Sequence, residues 1–388
     1  MTSDDLAQNA IDVLLISPRL PKTDPRTGGD HTYTEMLLAH PPEGVRYHHY
    51  EDLLSQGKMH VHRYVNALMP RLSAYGILPP DVWGVYLVSD FVPDLLHIYG
   101  FSAYITFSHK KQRPIPVIMG QGVGGASDLL CYRQWGERQA RAARKIEALI
   151  FRLLGIYSSS LNPRNASRIL VWSEFSRQMH LWDRIVRPDH LEVLPPGLAA
   201  PAAPDPHRTR QGTTFLFVGR DFKRKNGYLA LDAFRQVKLQ HPEARLIIVG
   251  SPPDGEMIQE EGVSHKLFVP LQELYEQIYP QADVLVLPST AEGFGLVLLQ
   301  AMSFGMPVIG VDAWAMPEIV TDGETGFLVP PNSVDALVDR MSKLARDTAL
   351  LSAMGKRSHQ AFQDRFSIVR HNRRLRAVYD QALAGVGA

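Results

Sequence analysis

Short apolar runs alternate with longer amphipathic stretches along most of this chain. The runs are rich in valine, isoleucine and leucine, which is typical of strands buried in a parallel sheet. The pattern predicts strands at 11–17, 46–50, 95–99, 116–119, 169–172, 215–218, 246–249, 266–269, 284–287, 308–311 and 325–329. It predicts helices at 31–40, 136–157, 174–181, 228–239, 271–279, 296–304, 334–346, 350–366 and 368–383. Strands that alternate with helices in this way indicate an α/β fold with mostly parallel sheets.

A proline-rich segment interrupts this alternation near the middle of the chain. It contains Pro195-Pro196-Gly197 and three more prolines up to Pro206, with no run that could form a core. A chain of 388 residues is also too long for one ordinary core. We therefore predict two domains, 1–198 and 199–367, joined by this linker.

The composition is that of an ordinary globular protein, with 45% hydrophobic and 21% charged residues. A formal net charge of +1 gives no reason to expect a nucleic-acid partner. The single cysteine, Cys131, excludes an internal disulfide and fits a reducing compartment. The polar N-terminus does not resemble a signal peptide, and no apolar run approaches the roughly 20 residues of a membrane span. The sequence therefore predicts a soluble, cytoplasmic protein.

Candidate chemistry is concentrated after the predicted strand at 284–287. Pro288 ends that strand, and Glu292 and Gly293 precede the helix predicted at 296–304. The backbone N–H groups from Gly293 to Leu296 then lie at a helix N-terminus. Unpaired donors and a partial positive charge make such a terminus suitable for an anion or for sugar hydroxyls.

A second candidate lies after the strand at 215–218. Gly219, Arg220, Lys223, Arg224 and Lys225 precede Asn226-Gly227, which opens the next helix. Arginine and lysine at such a position suit a diphosphate, although a solvated basic turn would look the same. The presence of Glu292 in the same half favours phosphate. The chain has no Asp-x-Asp and no metal-ligand spacing of histidine or cysteine, and His48, His49, His60 and His62 are interpreted as surface residues. We therefore expect arginine and lysine, and no divalent metal or other cofactor, to neutralise the phosphate.

These motifs together resemble the retaining glycosyltransferases of family 4. The matching segments are Glu292-Gly293-Phe294-Gly295-Leu296, Gln300-Ala301-Met302, Gly305-Met306-Pro307-Val308, Gly219-Arg220 with Lys225, and Gly28-Gly29. The resemblance implies the GT-B fold, in which two Rossmann-like domains with parallel sheets face each other across a central cleft. It also implies that the C-terminal helix, 368–388, packs back on the first domain.

The resemblance implies transfer of a sugar from a nucleotide-diphosphate sugar to the hydroxyl of a glycan, a lipid-linked acceptor or a small glycoside. Arg220 and Lys225 would hold the diphosphate, and Glu292 would bind hydroxyls of the donor sugar. The remaining substrate-binding positions implied are Gly28, Gly29, Gly219, Gly293, the backbone of Phe294, Gly295 and Leu296, and Val269 to Leu271, where the base would lie.

Two glutamines depart from the family pattern. Gln300 stands where the family has a second glutamate that accepts both ribose hydroxyls, so the charge-assisted pair is lost. This is either a tolerated variation or a change in nucleotide preference, for instance towards a deoxyribose donor. Gln121 stands in the loop where the family usually has a histidine near the reacting centre. A glutamine there can hydrogen-bond a sugar hydroxyl but cannot act as a base near neutral pH.

Other functions remain open from the sequence. A sugar-nucleotide 2-epimerase has a similar fold but needs further acid–base groups, and a nucleotide-sugar binding protein with impaired catalysis would fit Gln121 and Gln300. The helix at 136–157 carries Arg138, Arg141, Arg144 and Lys145, so it is either a solvated basic face or a peripheral contact with an anionic membrane. The donor sugar, the base, the acceptor and the oligomeric state are not determined by the sequence.

Overall fold

The computed structural model describes residues 10–17, 19, 29–61, 84–100, 102–108, 114–121, 136–154, 166–182, 186–199 and 212–385. The described residues divide into two compact units. The first contains the residues up to Gly197 together with 371–385, and the second contains Leu198–Arg370. The chain therefore returns to the first unit at its C-terminal end.

The first unit is built on a six-stranded parallel sheet in the order β2-β1-β5-β7-β8-β9. A separate three-stranded sheet has the order β3-β4-β6. The strands are β1 (Ile11–Ile16), β2 (Val45–His49), β3 (Met59–Val61), β4 (Gly84–Ser89), β5 (Leu95–Tyr99), β6 (Ser102–Phe107), β7 (Val117–Gln121), β8 (Arg168–Val171) and β9 (Leu191–Val193). The helices are α1 (Gly29–Ala39), α2 (Tyr50–Ser55), α3 (Glu137–Leu154) and α4 (Glu174–Leu181), with a 3-10 turn at Pro188–His190. The five predicted strands of the large sheet are confirmed to within two residues, whereas its sixth strand, β9, and the small sheet were not predicted.

The second unit is a six-stranded parallel sheet in the order β12-β11-β10-β13-β14-β15. Its strands are β10 (Thr214–Asp221), β11 (Arg245–Ser251), β12 (Val263–Lys266), β13 (Val284–Val286), β14 (Val308–Val311) and β15 (Gly326–Val329). Its helices are α5 (Gly227–Gln240), α6 (Leu271–Glu273), α7 (Leu296–Ser303), α8 (Met316–Ile319), α9 (Val334–Arg346) and α10 (Thr348–Phe366). The final helix is α11 (Ile368–Gly385). Val284 to Leu287 are fully buried, as expected of a central strand in a parallel sheet.

Two predictions for the second unit need correction. The strand predicted at 266–269 is instead β12, which ends at Lys266. The apolar residues after it do not form a buried run, because Leu267 and Phe268 are 36% and 41% exposed. The helix predicted at 271–279 begins as α6 but continues as a π-helical turn, Leu274–Ile278, and a 3-10 turn, Tyr279–Gln281.

Helix α11 is fixed to the first unit by a buried polar network. His371 Nδ1 donates to the carbonyl of Pro195 at 2.8 Å, so its Nε2 accepts from the hydroxyl of Tyr33 at 3.1 Å. The hydroxyl of Tyr379 lies 2.6 Å from Nδ1 of His97. Burial lowers the pKa of His371 to about 4 and that of His97 to about 3. Both rings are therefore neutral hydrogen-bonding groups near neutral pH.

Two polar residues predicted to be exposed are buried. His49 is 1% exposed, and its Nε2 donates to the carbonyl of Ser17 at 3.1 Å. Arg144 of α3 is 3% exposed, so it does not belong to a solvated basic face. Burial of these side chains depends on the strands and helices packed around them, which a local sequence pattern does not show. No helix in the described ranges is long and apolar enough to cross a membrane.

Candidate functional site in the second unit

The basic turn after β10 is shaped by glycine and by left-handed backbone. Asn226 has a φ of 61° immediately before α5, a conformation that asparagine tolerates better than most residues. The amide of Lys225 donates to the carbonyl of Asp221 at 2.8 Å. A Cβ on Gly219 would lie 2.8 Å from Cβ and Cγ of Lys225. Gly219 is therefore the surface on which the Lys225 side chain packs.

The turn between β13 and α7 carries Glu292. It ends at Gly295, which has a φ of 90° and serves as the N-cap of α7. A Cβ there would lie 3.1 Å from Leu298 Cδ1 and 3.2 Å from Glu292 Cγ. Glycine thus supplies both the left-handed backbone and the room for the Glu292 stem. The predicted strand, turn and helix are confirmed.

These two turns lie side by side because β10 and β13 are neighbours, with Phe215 and Leu216 paired to Val284 and Leu285. In a parallel sheet, the carboxyl ends of adjacent strands open at the same edge. The amide of Thr290 donates to the carbonyl of Arg224 at 2.8 Å, which joins the turns directly. The structure thus brings together two motifs that are far apart in sequence.

Lys225 and Glu292 form an ion pair between the two turns, through Nζ and Oε2. Their side chains are only 12% and 9% exposed. Burial lowers the pKa of Lys225, and the nearby Glu292 carboxylate opposes that shift. The charge pair is therefore held in a poorly hydrated place, where its fields act strongly on any ligand.

Arg224 is a site residue whose individual role was not predicted from the sequence. Its Nη1 donates to the carbonyl of Ala291 at 2.8 Å and lies 4.0 Å from Oε2 of Glu292. Its Nε donates to Asp221 at 2.9 Å. Arg220, which the sequence favoured, is an exposed residue of β10. The only sequence signal for Arg224 was its position beside Lys225.

Gln300 lies in the second turn of α7 and is buried, with 6% exposure. Its Oε1 accepts a hydrogen bond from the hydroxyl of Tyr279 at 2.8 Å. This contact ties α7 to the helical segment that begins at Leu271. Gln300 also forms a side-chain hydrogen bond with Tyr275, so two tyrosines of that segment hold its amide in place.

The other predicted site residues lie outside these two turns. Val269 is buried and Leu271 half-buried, both before the π-helical turn. In the first unit, Gly29 begins α1 and Gln121 ends β7, where its backbone pairs with Val171. Gly28 lies outside the described residues.

Two six-stranded parallel sheets with this pair of turns define a protein of the GT-B class. The structure of HepE from Anabaena, solved in complex with UDP and glucose, superposes with a TM-score of 0.64 at 15% identity, over 95% of this chain and 99% of that chain. At this identity the likeness shows the fold alone.

The family model for glycosyl transferases group 1 matches residues 204–361. The matched residues make up most of the second unit. It is 35% identical over 170 residues to an exopolysaccharide phosphotransferase of Streptomyces coelicolor, covering 42% of this chain and 18% of that protein. It is 26% identical over 246 residues to the D-inositol 3-phosphate glycosyltransferase of Corynebacterium kroppenstedtii, covering 56% of this chain and 54% of that protein. In both cases the chain covers less than two thirds of the relative's length.

Proposed function

We propose that this protein is a retaining glycosyltransferase that moves a sugar from a nucleotide-diphosphate sugar to a hydroxyl acceptor without a divalent metal. The observation that carries the proposal is the contact between Lys225 and Glu292 at the carboxyl edge of a parallel sheet. One turn offers cations to a diphosphate, and the other offers a carboxylate and a helix start to a sugar. The match of residues 204–361 to the family model for glycosyl transferases group 1 supports the same activity.

In the proposed reaction, the bond between the anomeric carbon and the diphosphate oxygen breaks. Negative charge then develops on the leaving diphosphate, and Lys225 and Arg220 would neutralise it. Arg224 would act indirectly, since its contacts with Asp221 and Ala291 hold the basic turn against the Glu292 turn. The acceptor oxygen bonds to the anomeric carbon on the face that the diphosphate leaves. The acceptor proton passes to the leaving phosphate, so no side-chain base is required.

Glu292 would orient the donor sugar. One of its oxygens is held by Lys225, and a carboxylate has further lone pairs that accept from sugar hydroxyls. Because the group is nearly buried, hydrogen bonds to it would be strong and directional. The other proposed substrate contacts are Gly28, Gly29, Gly219, Gln121, Val269, Leu271, Gly293, Phe294, Gly295, Leu296 and Gln300.

Two other functions are alternatives to sugar transfer. An epimerase would isomerise the donor without an acceptor, and a binding protein would leave the donor unchanged. Incubation of UDP, GDP, ADP and dTDP sugars with and without hydroxyl acceptors distinguishes them. Transfer to an acceptor with retained anomeric configuration supports the proposal. Isomerised donor, or bound but unchanged donor with every acceptor tested, contradicts it.

Peripheral contact with a membrane is a further proposal for the first unit. Helix α3 exposes Ile146 and Leu149, at 60% and 53%, alongside the exposed Arg138 and Lys145. Apolar residues flanked by cations suit the surface of an anionic bilayer. Co-sedimentation with vesicles containing anionic lipid, compared with neutral vesicles, tests this. Replacement of Ile146 and Leu149 by serine should abolish the difference between the two vesicle types.

A further inference from the structure

A tryptophan occupies a backbone position that normally belongs to glycine. Trp314 has a φ of 62°. It is the first central residue of the turn Ala313–Met316, which is closed by a bond of 3.3 Å from the Met316 amide to the Ala313 carbonyl. The second central residue, Ala315, has a φ of −88° and a ψ of −2°. A positive φ followed by these angles is the pattern of a type II′ turn, whose first central position glycine dominates.

Such a conformation is unfavourable for a bulky side chain, and strained residues of this kind concentrate at ligand sites. The surrounding structure holds it in place. Ala315 and Met316 are fully buried, and the sulfur of Met316 accepts from the Val311 amide at 3.1 Å. The amide of Asp312 donates to the carbonyl of Val329 at 2.9 Å. The backbone of the turn is therefore fixed on both sides of Trp314.

The position of this turn relates the strained backbone to the candidate site. It follows β14, which pairs in parallel with β13 through Val308 and Leu285. Trp314 and Glu292 therefore leave neighbouring strands at the same edge of the sheet, the edge at which ligands bind in open α/β sheets. Trp314 is half-buried, so part of the residue is open to solvent, although its indole Nε1 is buried.

We propose that Trp314 is an aromatic platform on which a sugar ring of the substrate stacks. An indole is rigid, flat and largely apolar, so it complements the C–H face of a pyranose at little cost in side-chain entropy. Glu292 would accept hydrogen bonds from the hydroxyls at the rim of the sugar, and Trp314 would stack on one face of the sugar ring. This inference rests on the proposed function, and the shared chemistry, a pyranose face, fits either the donor sugar or a glycoside acceptor.

The test compares Trp314→Gly, which removes the ring and relieves the backbone, with Trp314→Phe, which keeps an aromatic face. Thermal unfolding is measured together with titrations of UDP-glucose, GDP-mannose, UDP, GDP and methyl glycosides. We expect Trp314→Gly to unfold at the wild-type temperature or higher and to bind free nucleotides normally. Sugar-bearing ligands should bind roughly three- to tenfold more weakly, with recovery in Trp314→Phe.

The ligand that loses affinity identifies the source of the sugar. A loss for the nucleotide sugars relative to the free nucleotides assigns the platform to the donor, and a loss for the glycosides alone assigns it to the acceptor. Unchanged affinities in Trp314→Gly overturn the inference, and so does a large fall in unfolding temperature without a selective loss, which is the behaviour of a packing residue. If wild-type protein transfers sugar and Trp314→Gly does so equally well, only the platform is refuted. If wild-type protein binds none of these ligands, the proposed function is refuted as well.

Discussion

Lys225 and Glu292 are 67 positions apart in the chain, yet the lysine Nζ donates to the glutamate Oε2 in a place with little solvent. Neither charge would be stable there alone, because an unpaired buried charge is strongly unfavourable. The ion pair therefore holds a cation and an anion together at one edge of the sheet. A nucleotide-diphosphate sugar carries the complementary groups, a diphosphate and a ring of hydroxyls.

Lys225→Ala should abolish most donor binding. We expect kcat/KM to fall by about a hundredfold, since a cation aimed at the leaving group is lost. The unfolding free energy should also fall, because Glu292 loses its closest partner. Lys223→Ala is the matched control, since Lys223 is an exposed lysine of the same turn. Equal losses in the two variants, measured by donor titration and initial rates, would refute a specific role for Lys225.

Gly219→Ala should disturb the site without changing any charge. The added Cβ would meet the stem of Lys225 at 2.8 Å and Phe217 Cζ at 2.9 Å, so the lysine must move. We expect donor affinity to fall by about tenfold, with a modest loss of stability from overpacking. Gly136→Ala is the control, because a Cβ there meets nothing within 4 Å. Isothermal titration with a nucleotide sugar measures the effect, and wild-type affinity in Gly219→Ala would contradict it.

Gln300→Glu should increase the preference for ribose. The wild-type amide already accepts from Tyr279 and carries no charge, so it offers no charge-assisted pair to a ribose, and we expect comparable affinities for ribo- and deoxyribonucleotides. A carboxylate accepts both from Tyr279 and from a ribose hydroxyl, and charge-assisted bonds should raise the ribose preference by about tenfold. Tyr279→Phe is the control that alters the support of Gln300 without adding charge. A strong ribose preference in the wild-type protein would end this hypothesis.

The stability of the protein should decrease in mild acid, and His371 is one of the buried histidines that cause this, together with His97. The pKa of His371 is about 4 when folded, below the ordinary unfolded value of 6.5. The unfolded state thus binds more protons between these values, so the unfolding free energy falls as pH drops from about 6.5 to about 4. The total loss from this residue is on the order of 3 kcal/mol.

His371→Asn tests that origin, since asparagine can still donate to the Pro195 carbonyl but does not titrate in this range. We expect unfolding temperatures measured across this pH window to depend less on pH in His371→Asn than in the wild-type protein. His60→Asn is the control, because His60 is exposed on β3. Parallel pH profiles for His371→Asn and the wild-type protein would show that other groups cause the acid sensitivity.

The amino-acid sequence alone determined most strands of both large sheets and the two turns of the site, but it missed β9 and misplaced β12. Apolar runs, glycines and basic residues influence the conformation of their own segment. The strand that ends before Gly219 and the helix that begins after Gly295 were therefore predictable. The small sheet β3-β4-β6 was not, because pairing of short strands depends on distant partners. The apolar stretch after β12 was misassigned because local pattern does not reveal exposure.

Only the tertiary structure decided which of these residues meet. The pairing of β10 with β13 places Lys225 against Glu292 and recruits Arg224, and no spacing in the sequence specifies that pairing. The contact of Gln300 with Tyr279 and the left-handed backbone of Trp314 likewise arise from packing between segments. Short-range patterns record the conformational preferences of the chain, whereas the chemistry of a site depends on strand order and burial, which form only when the whole sheet assembles.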